Sequence, residues 1–534
     1  MKVFKTFMLY FLILIALAIG GLLLCCGLMV FSPNTPIFGY KYVSYKGIKT
    51  DNIAIEEGVS AISVTSNRMD IKFIPNVTSN DIYIEYSQGM SGFVKQDAVD
   101  LAVASYTDTA KTFESGDSSL GSTTYKTLCI EVQEPEGLIF LNDCYIKVYI
   151  PSRAFEVLNA YTKNAGIDYT SVNESKVLNV NNLYLRTDSK DVSQKVVNIN
   201  YPNCKRYYIR TLVGNCYFIN EGADITGSIV FETSGGKLVA KNGAIRSALT
   251  VRSDTKVNGA TLDITQLNGN LTFAAKSGNI SIGTVSKGNA ASYPKLDIQS
   301  EYCNIKIETL NGTMLTQGFE GGEIDNIDVV INKLHYISGL TSLDINSGKG
   351  NITIEELTGN SSLRTITGNI NIAKASSPNM FVETYNGAIN ITFDTVGTAL
   401  SKLDIIVLKR SSINLANLQG TVNIDIEEGS GRDISLGLLE YVSNCTINVT
   451  ASYDNVILKN VRSTKAAIYS DGEITTIDGP SHSDISQGNS DYYSTKAYPY
   501  QKRLNYSAGN PAVKLFVNNR KVTDDAACKV SAYM

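Results

Sequence analysis

One phrase recurs through the middle of this chain. It reads GNITI at residues 350–354, GNINI at 368–372 and GAINI at 387–391, after SGNISI from residue 277 and CNIKI from residue 303. The equivalent positions Asn351, Asn369 and Ala388 stand 18 and 19 residues apart, and Asn279 and Asn304 stand 25 apart. A unit of this size, repeated, is the signature of a solenoid in which each unit is one coil. Alternation within the unit predicts that Ile352, Ile354, Ile370, Ile372, Ile389 and Ile391 face inward and stack from coil to coil. Thr353, Asn371 and Asn390 then face outward. Glycine before asparagine suits a tight corner, because glycine reaches positive φ without strain and asparagine tolerates it. Stacked corners would also let asparagine side chains hydrogen-bond along the axis.

A second recurring word is an acid between two apolar residues: Leu262-Asp263-Ile264, Leu296-Asp297-Ile298, Leu343-Asp344-Ile345, Leu403-Asp404-Ile405 and Ile424-Asp425-Ile426. These acids must point outward. They would either keep a sheet face soluble and block edge pairing or form a carboxylate ladder for calcium or a cationic partner. No D-x-[DN]-x-[DN]-G loop or G-G-x-G-x-D nonapeptide supports the ladder.

The amino-terminal segment has a different character. From Phe7 to Phe31 there is no charge, and at about 1.5 Å per residue this stretch exceeds the roughly 30 Å apolar thickness of a bilayer. It is longer than the apolar region of a cleavable signal peptide, lacks an A-x-A-like site, and predicts a single-pass membrane anchor. Leu24 is not the small residue that precedes a lipidated cysteine, so Cys25 and Cys26 read as thiols within the membrane. Lys2 and Lys5 favour a cytoplasmic amino terminus and an extracytoplasmic body, although Lys41, Lys46 and Lys49 follow the span.

The expected plan is therefore all-β: a tail at 1–6, a transmembrane helix at 7–31, a linker at 32–44, a β-strand entry region at 45–223, a β-solenoid of roughly 18–25-residue coils at 224–480, and a polar loop with capping strands at 481–534. The entry region alternates as AISVTS, MDIKFIP, DIYIEYS, LCIEVQE and CYIKVYIP. Residues 89–124, rich in Ser, Gly, Thr and Asp, read as an inserted surface excursion. QDAVDLAVASYTDTAKTF, from Gln96, permits one helix.

The succession GIKTDNIAIEEGVSAISVTS, MDIKFIP, DIYIEY, CIEVQE and CYIKVYIPSRAFEVLNAYTKNAGI, followed by LDINSGKGNITIEELTG and TITGNINI, resembles the membrane-anchored adhesin domain of bacterial surface proteins. The resemblance covers roughly residues 45–165 and 225–480. It implies a right-handed β-solenoid at the cell surface, and it supplies no catalytic residue. The stretch from Val177 to Gly222, with YPNCKRYYIRTLVGNCYF, departs from the pattern, as does the segment 89–124.

Composition narrows the chemistry. The 534 residues carry 47 basic and 51 acidic side chains, a net charge of −4, so there is no cationic excess for nucleic acid. The two histidines, His335 and His482, are far apart and there is no C-x-x-C, which leaves zinc chemistry without ligands. No G-x-S-x-G elbow accompanies a histidine, and SHSD around His482 reads as a polar loop. The expectation is no cofactor, no metal site, no catalytic residue and no enzyme activity. The role expected is that of a membrane-anchored surface adhesin or binding scaffold with a glycan or surface protein as partner. Two rivals are a carbohydrate-active β-helix, lyase or glycosidase, drawing on acids such as Asp297, Glu355 or Glu356, and an envelope sensing or structural protein. Seven cysteines lie beyond the span, an odd number, so at least one stays unpaired. Cys303 and Cys445 read as buried thiols. A hairpin around Gly214 would bring Cys204 and Cys216 into disulfide range, against the alternative of two free thiols. N-x-[ST] triplets such as Asn76, Asn279, Asn351, Asn390 and Asn448 are scarcely denser than composition dictates.

Overall fold

The computed structural model describes residues 2–533 except 32–38, 46, 88, 96–101, 115–121, 134–136, 142–143, 174, 189–195, 220–221, 254, 256–258, 336–340, 378, 396–401, 429–430, 453, 462–464, 472–473, 479–481, 485–497, 499, 505–509 and 521–527. The chain is a β-solenoid preceded by one apolar helix, and it divides into two compact units, Met1–Asn220 and Glu221–Met534.

In the first unit the helix runs Lys2–Phe31, and its segment Met8–Leu28, with mean hydropathy 2.8, contains no buried residue. Its 21 residues rise about 30 Å, enough to cross a bilayer. Where the sequence suggested a linker to residue 44, a strand starts at Tyr40. Tyr40–Tyr45, Met90–Lys95 and Gly137–Leu141 form a small antiparallel sheet.

Coils begin well before residue 224. Each contributes one strand to each of two parallel sheets: Ala61–Ser66, Ala154–Thr162, Asn179–Thr187 and Arg206–Thr211 in one, Asp70–Pro75, Ile167–Thr170, Val197–Asn200 and Cys216–Ile219 in the other. The entry region is thus largely solenoid. Its irregular spelling conceals the repeat because Tyr169, Val197, Cys216 and Phe218 take buried positions on the sheet where isoleucine recurs later.

The helix allowed from Gln96 is not formed. Residues 96–101 lie outside the described part, and Ala102–Glu114 is a strand paired antiparallel with Ser122–Gln133 along nearly its whole length. Thr107, Thr109 and Thr112 favour a strand once a partner is at hand, and pairing overrides the local alanine pattern. The supposed surface excursion at 89–124 therefore holds Met90–Lys95, Ala102–Glu114 and the start of Ser122–Gln133. The same outer strand, Ser122–Gln133, pairs in parallel with Ala61–Ser66, while Tyr145–Ile150 pairs in parallel with Asp70–Pro75. The coil that comes first in sequence consequently lies second in space. Antiparallel strands Ile82–Ser87 and Ile48–Ile53 continue beyond it.

In the second unit the two sheets climb coil by coil from Ser228–Thr233 and Lys237–Ile245 to Cys445–Ala451 and Asn455–Lys459. One buried column runs Ile280, Ile305, Val329, Ile352, Ile370, Ile389, Ile413, Ile434 and Val456, each in register with the next and each at most 2% exposed. At about 1.5–3 kcal/mol per buried aliphatic side chain, such columns are the principal stabilising force.

The corner glycines work differently from the expectation. Gly350, Gly368 and Gly387 do not have positive φ. A Cβ on Gly368 would lie 1.7 Å from the Gly350 carbonyl oxygen, and one on Gly387 would lie 1.8 Å from that of Gly368. Glycine recurs because successive coils touch backbone to backbone there. Buried Thr365 fastens the corner: its Oγ1 accepts from the Gly368 N–H at 2.9 Å and donates to the Gly348 carbonyl at 2.8 Å. Thr384 repeats the first of these contacts with Gly387 at 2.9 Å.

Late strands of the second unit are inserted between earlier ones. Val513–Asn519 inserts between Cys445–Ala451 and Ala466–Ser470, and Lys529–Tyr533 inserts between Asn455–Lys459 and Ile474–Asp478, all parallel. Tyr500–Leu504 and His482–Asp484 then close one sheet edge with antiparallel strands. His482 accordingly sits in a short strand, where the sequence suggested a loop.

Candidate binding faces

What the coils display outward is mostly amide, hydroxyl and paired charge. The alternation that buries the isoleucines sets asparagines at the same height on successive coils. Asn304 Nδ2 donates to Asn279 Oδ1 at 2.9 Å, and Asn390 Nδ2 donates to Asn371 Oδ1 at 2.9 Å. Backbone N–H groups of Asn369 and Ala388 donate to the Oδ1 atoms of Asn351 and Asn369 at 2.9 and 3.0 Å. The other sheet carries a similar chain, with Asn448 donating to Asn423 at 2.8 Å and Asn423 to Asp404 at 2.7 Å.

The outward acids are drawn into pairs and do not assemble as a ladder. Asp263 bonds Lys237 at 2.7 Å and also Lys241, Asp404 meets Lys402 at 2.7 Å, Asp344 meets Arg364 at 3.3 Å, and Asp425 bonds Arg520. Burial pushes the Asp263 carboxyl up, but the hydrogen bonds from Lys237 and Lys241 outweigh it and hold it below its ordinary value. Asp404 is lowered likewise, burial being outweighed by Asn423 and Lys402. Asp297 keeps Oδ1 enclosed without a hydrogen-bond partner. No cluster of potential metal ligands occurs among the described residues.

The acids suggested for glycosidic chemistry are not brought together. Asp297 stands on one sheet, in Lys295–Gln299, while Glu355 and Glu356 stand on the other, in Ile352–Leu357. Glu356 is engaged by Lys333 at 3.3 Å. His335 is exposed just beyond a strand end.

The hairpin proposed around Gly214 is absent. Arg206–Thr211 and Cys216–Ile219 belong to different sheets of one coil, and Cys204 and Cys216 are both free and buried. Cys129, Cys144, Cys303, Cys445 and Cys528 are buried thiols as well, outside any disulfide. Burial raises the Cys204 and Cys303 thiols to about 12 and raises Cys216 further, so none is a thiolate at neutral pH.

The outer surface of the second unit has a concave place among its described residues. Asn360, Ser362, Asn379, Phe381, Lys402 and Asp404 line a shallow depression of about 260 Å³ on three adjacent coils. Register puts Phe381 between Ser362 and Asp404, with Asn360, Asn379 and Lys402 in the neighbouring row. The Arg364 guanidinium lies 5.4 Å from the centre of the Phe381 ring. Sequence reasoning passed over Phe381. Its signal was present: in NMFVET, Met380 and Val382 take the inward positions, so the phenylalanine falls where the pattern calls for a polar residue.

No family model, curated protein or solved structure matches the chain.

Proposed function

We propose that the protein is a membrane-anchored, non-catalytic binding scaffold, with its body outside the cytoplasm and adhesion as its role. The observation that carries this reading is the depression around Phe381. There a half-buried aromatic ring stands among amides, a hydroxyl and an ion pair on the face of a rigid, repetitive sheet. An aromatic surface framed by hydrogen-bonding groups suits a sugar ring, whose C–H face packs on the aromatic while its hydroxyls meet the amides. Binding over hydrolysis is supported by the placement of Asp297 on one sheet and Glu355 and Glu356 on the other, which keeps them from acting as a carboxylate pair on one glycosidic bond. The test is a glycan array probed with the full-length protein in lipid nanodiscs, with Phe381→Ala as the comparison. Binding without product release, weakened by Phe381→Ala, is expected. Release of shorter sugars would replace the scaffold with a carbohydrate enzyme, and protection of the body in spheroplasts from external protease would overturn the extracytoplasmic placement.

A further inference from the structure

Within Met1–Asn220 two neighbouring coils present a face of stacked aromatics and arginines. On the outward side of Asn179–Thr187 stand Asn182, Tyr184 and Arg186; on that of Arg206–Thr211 stand Arg206, Tyr208 and Arg210, paired in register one to one. The Tyr184 and Tyr208 rings stack at 4.5 Å and 15°. Phe113, from the long hairpin, lies 5.6 Å from Tyr184 and packs on the same stack. The tyrosines are thereby held upright, with their ring edges at the surface. Burial raises the Tyr184 phenol to about 12, so it keeps its proton at neutral pH.

The charges around this stack do not cancel. Asp188 is taken by Arg186 at 2.8 Å and by the Tyr161 hydroxyl at 3.1 Å, and Glu156 accepts from Asn181 at 2.8 Å. Arg206, Arg210 and Lys205 remain exposed beside the tyrosines, with Arg210 near enough to share the Asp188 charge with Arg186, so the basic groups outnumber the acids here in a chain whose net charge is −4. Guanidinium groups recognise carboxylates through paired N–H donors, and exposed arginines on a fixed sheet keep their spacing. We infer that this face binds an acidic polysaccharide, with Arg206 and Arg210 receiving carboxylates of successive acidic sugars and the Tyr184 and Tyr208 edges meeting the sugar rings and hydroxyls between them. A nucleic acid would need open aromatic faces for its bases and a long cationic track. Here Tyr184 is sandwiched between two rings, and the basic group spans only two coils.

This site lies on other residues than the Phe381 depression, so the two stand or fall separately. The test measures binding of alginate and of neutral dextran to full-length protein in nanodiscs of phosphatidylcholine, at low and at physiological salt. Alginate is expected to bind, dextran not, and Arg206→Gln/Arg210→Gln to weaken alginate binding about tenfold, the equivalent of two exposed ion pairs. Arg252→Gln, an exposed arginine of the second unit, is expected to leave it unchanged. Tyr208→Ser is expected to weaken binding even where both arginines remain. Failure of alginate to bind, equal binding of dextran, or equal binding by the double arginine variant would overturn the proposal. Equally tight binding of single-stranded DNA or of phosphatidylglycerol vesicles would also overturn it, since the face would then be a generic polyanion patch.

Discussion

At the scale of the residue, inside and outside are sharply separated. Ile370 is fully buried in its column, so Ile370→Asp places an unpaired carboxylate between coils and should cost several kcal/mol in chemical denaturation. Asp344→Asn breaks only an exposed contact with Arg364 and should cost under about 0.5 kcal/mol. Equal losses would reverse the assignment of faces. Gly368 separates two explanations for its own recurrence. Were positive φ the reason, Gly368→Asn would be tolerated better than Gly368→Ala. Since a Cβ meets the Gly350 carbonyl, both should lose stability alike, by about 1–3 kcal/mol, read from the same denaturation midpoints. Titration gives a third expectation. Asp263 and Asp404 are held below their ordinary values, so the stability they contribute is present above the unfolded carboxyl range near 3.8 and is lost as pH falls through their lower folded values. Asp263→Asn should flatten that acid limb of a stability profile by lowering the neutral plateau, and leave the stability at the acid end nearly unchanged.

At the scale of the element, the sequence was most legible where one phrase served both sheet and corner. Ile352, Ile370 and Ile389 occupy the positions their alternation implied, and the asparagine contacts along the axis follow from the same period. Elements with long-range partners were less readable. Ala102–Glu114 has a helix-compatible alanine pattern, and only its pairing with Ser122–Gln133 makes it a strand. Cys204 and Cys216 illustrate a similar limit. A short separation with a glycine between fits a hairpin as well as a coil corner, and the choice is made by parallel partners on two sheets. Peptide mapping without reductant should therefore find both cysteines as thiols, protected from alkylation in the native protein and fully labelled once it is unfolded. A peptide linking the two would restore the hairpin. Phe381 was hidden for a different reason: one apolar residue on an outward row is statistically ordinary, and only its amide and ion-pair neighbours on adjacent coils give it meaning.

At the scale of the whole molecule, a stack of parallel strands would ordinarily leave unpaired edges able to recruit further chains. Antiparallel strands cover such edges here, Ile48–Ile53 and Ala102–Glu114 in the first unit and Tyr500–Leu504 with His482–Asp484 in the second. Deleting residues 505–534 should accordingly do more harm than trimming usually does, because it removes a coil from within the stack and separates Cys445–Ala451 from Ala466–Ser470. Loss of cooperative unfolding in the shortened protein is the expected result, and an unchanged transition would show that the neighbouring coils can close on one another. The same arrangement bears on time. During synthesis the ribosome delivers Ala466–Asp478 before Val513–Tyr533, yet the later segment belongs between the earlier one and the coil at Cys445–Lys459. A nascent chain cannot finish by adding coils in the order they emerge. It must either hold a berth open or lift a seated coil to admit a latecomer, so the stack closes only after translation has delivered Lys529–Tyr533.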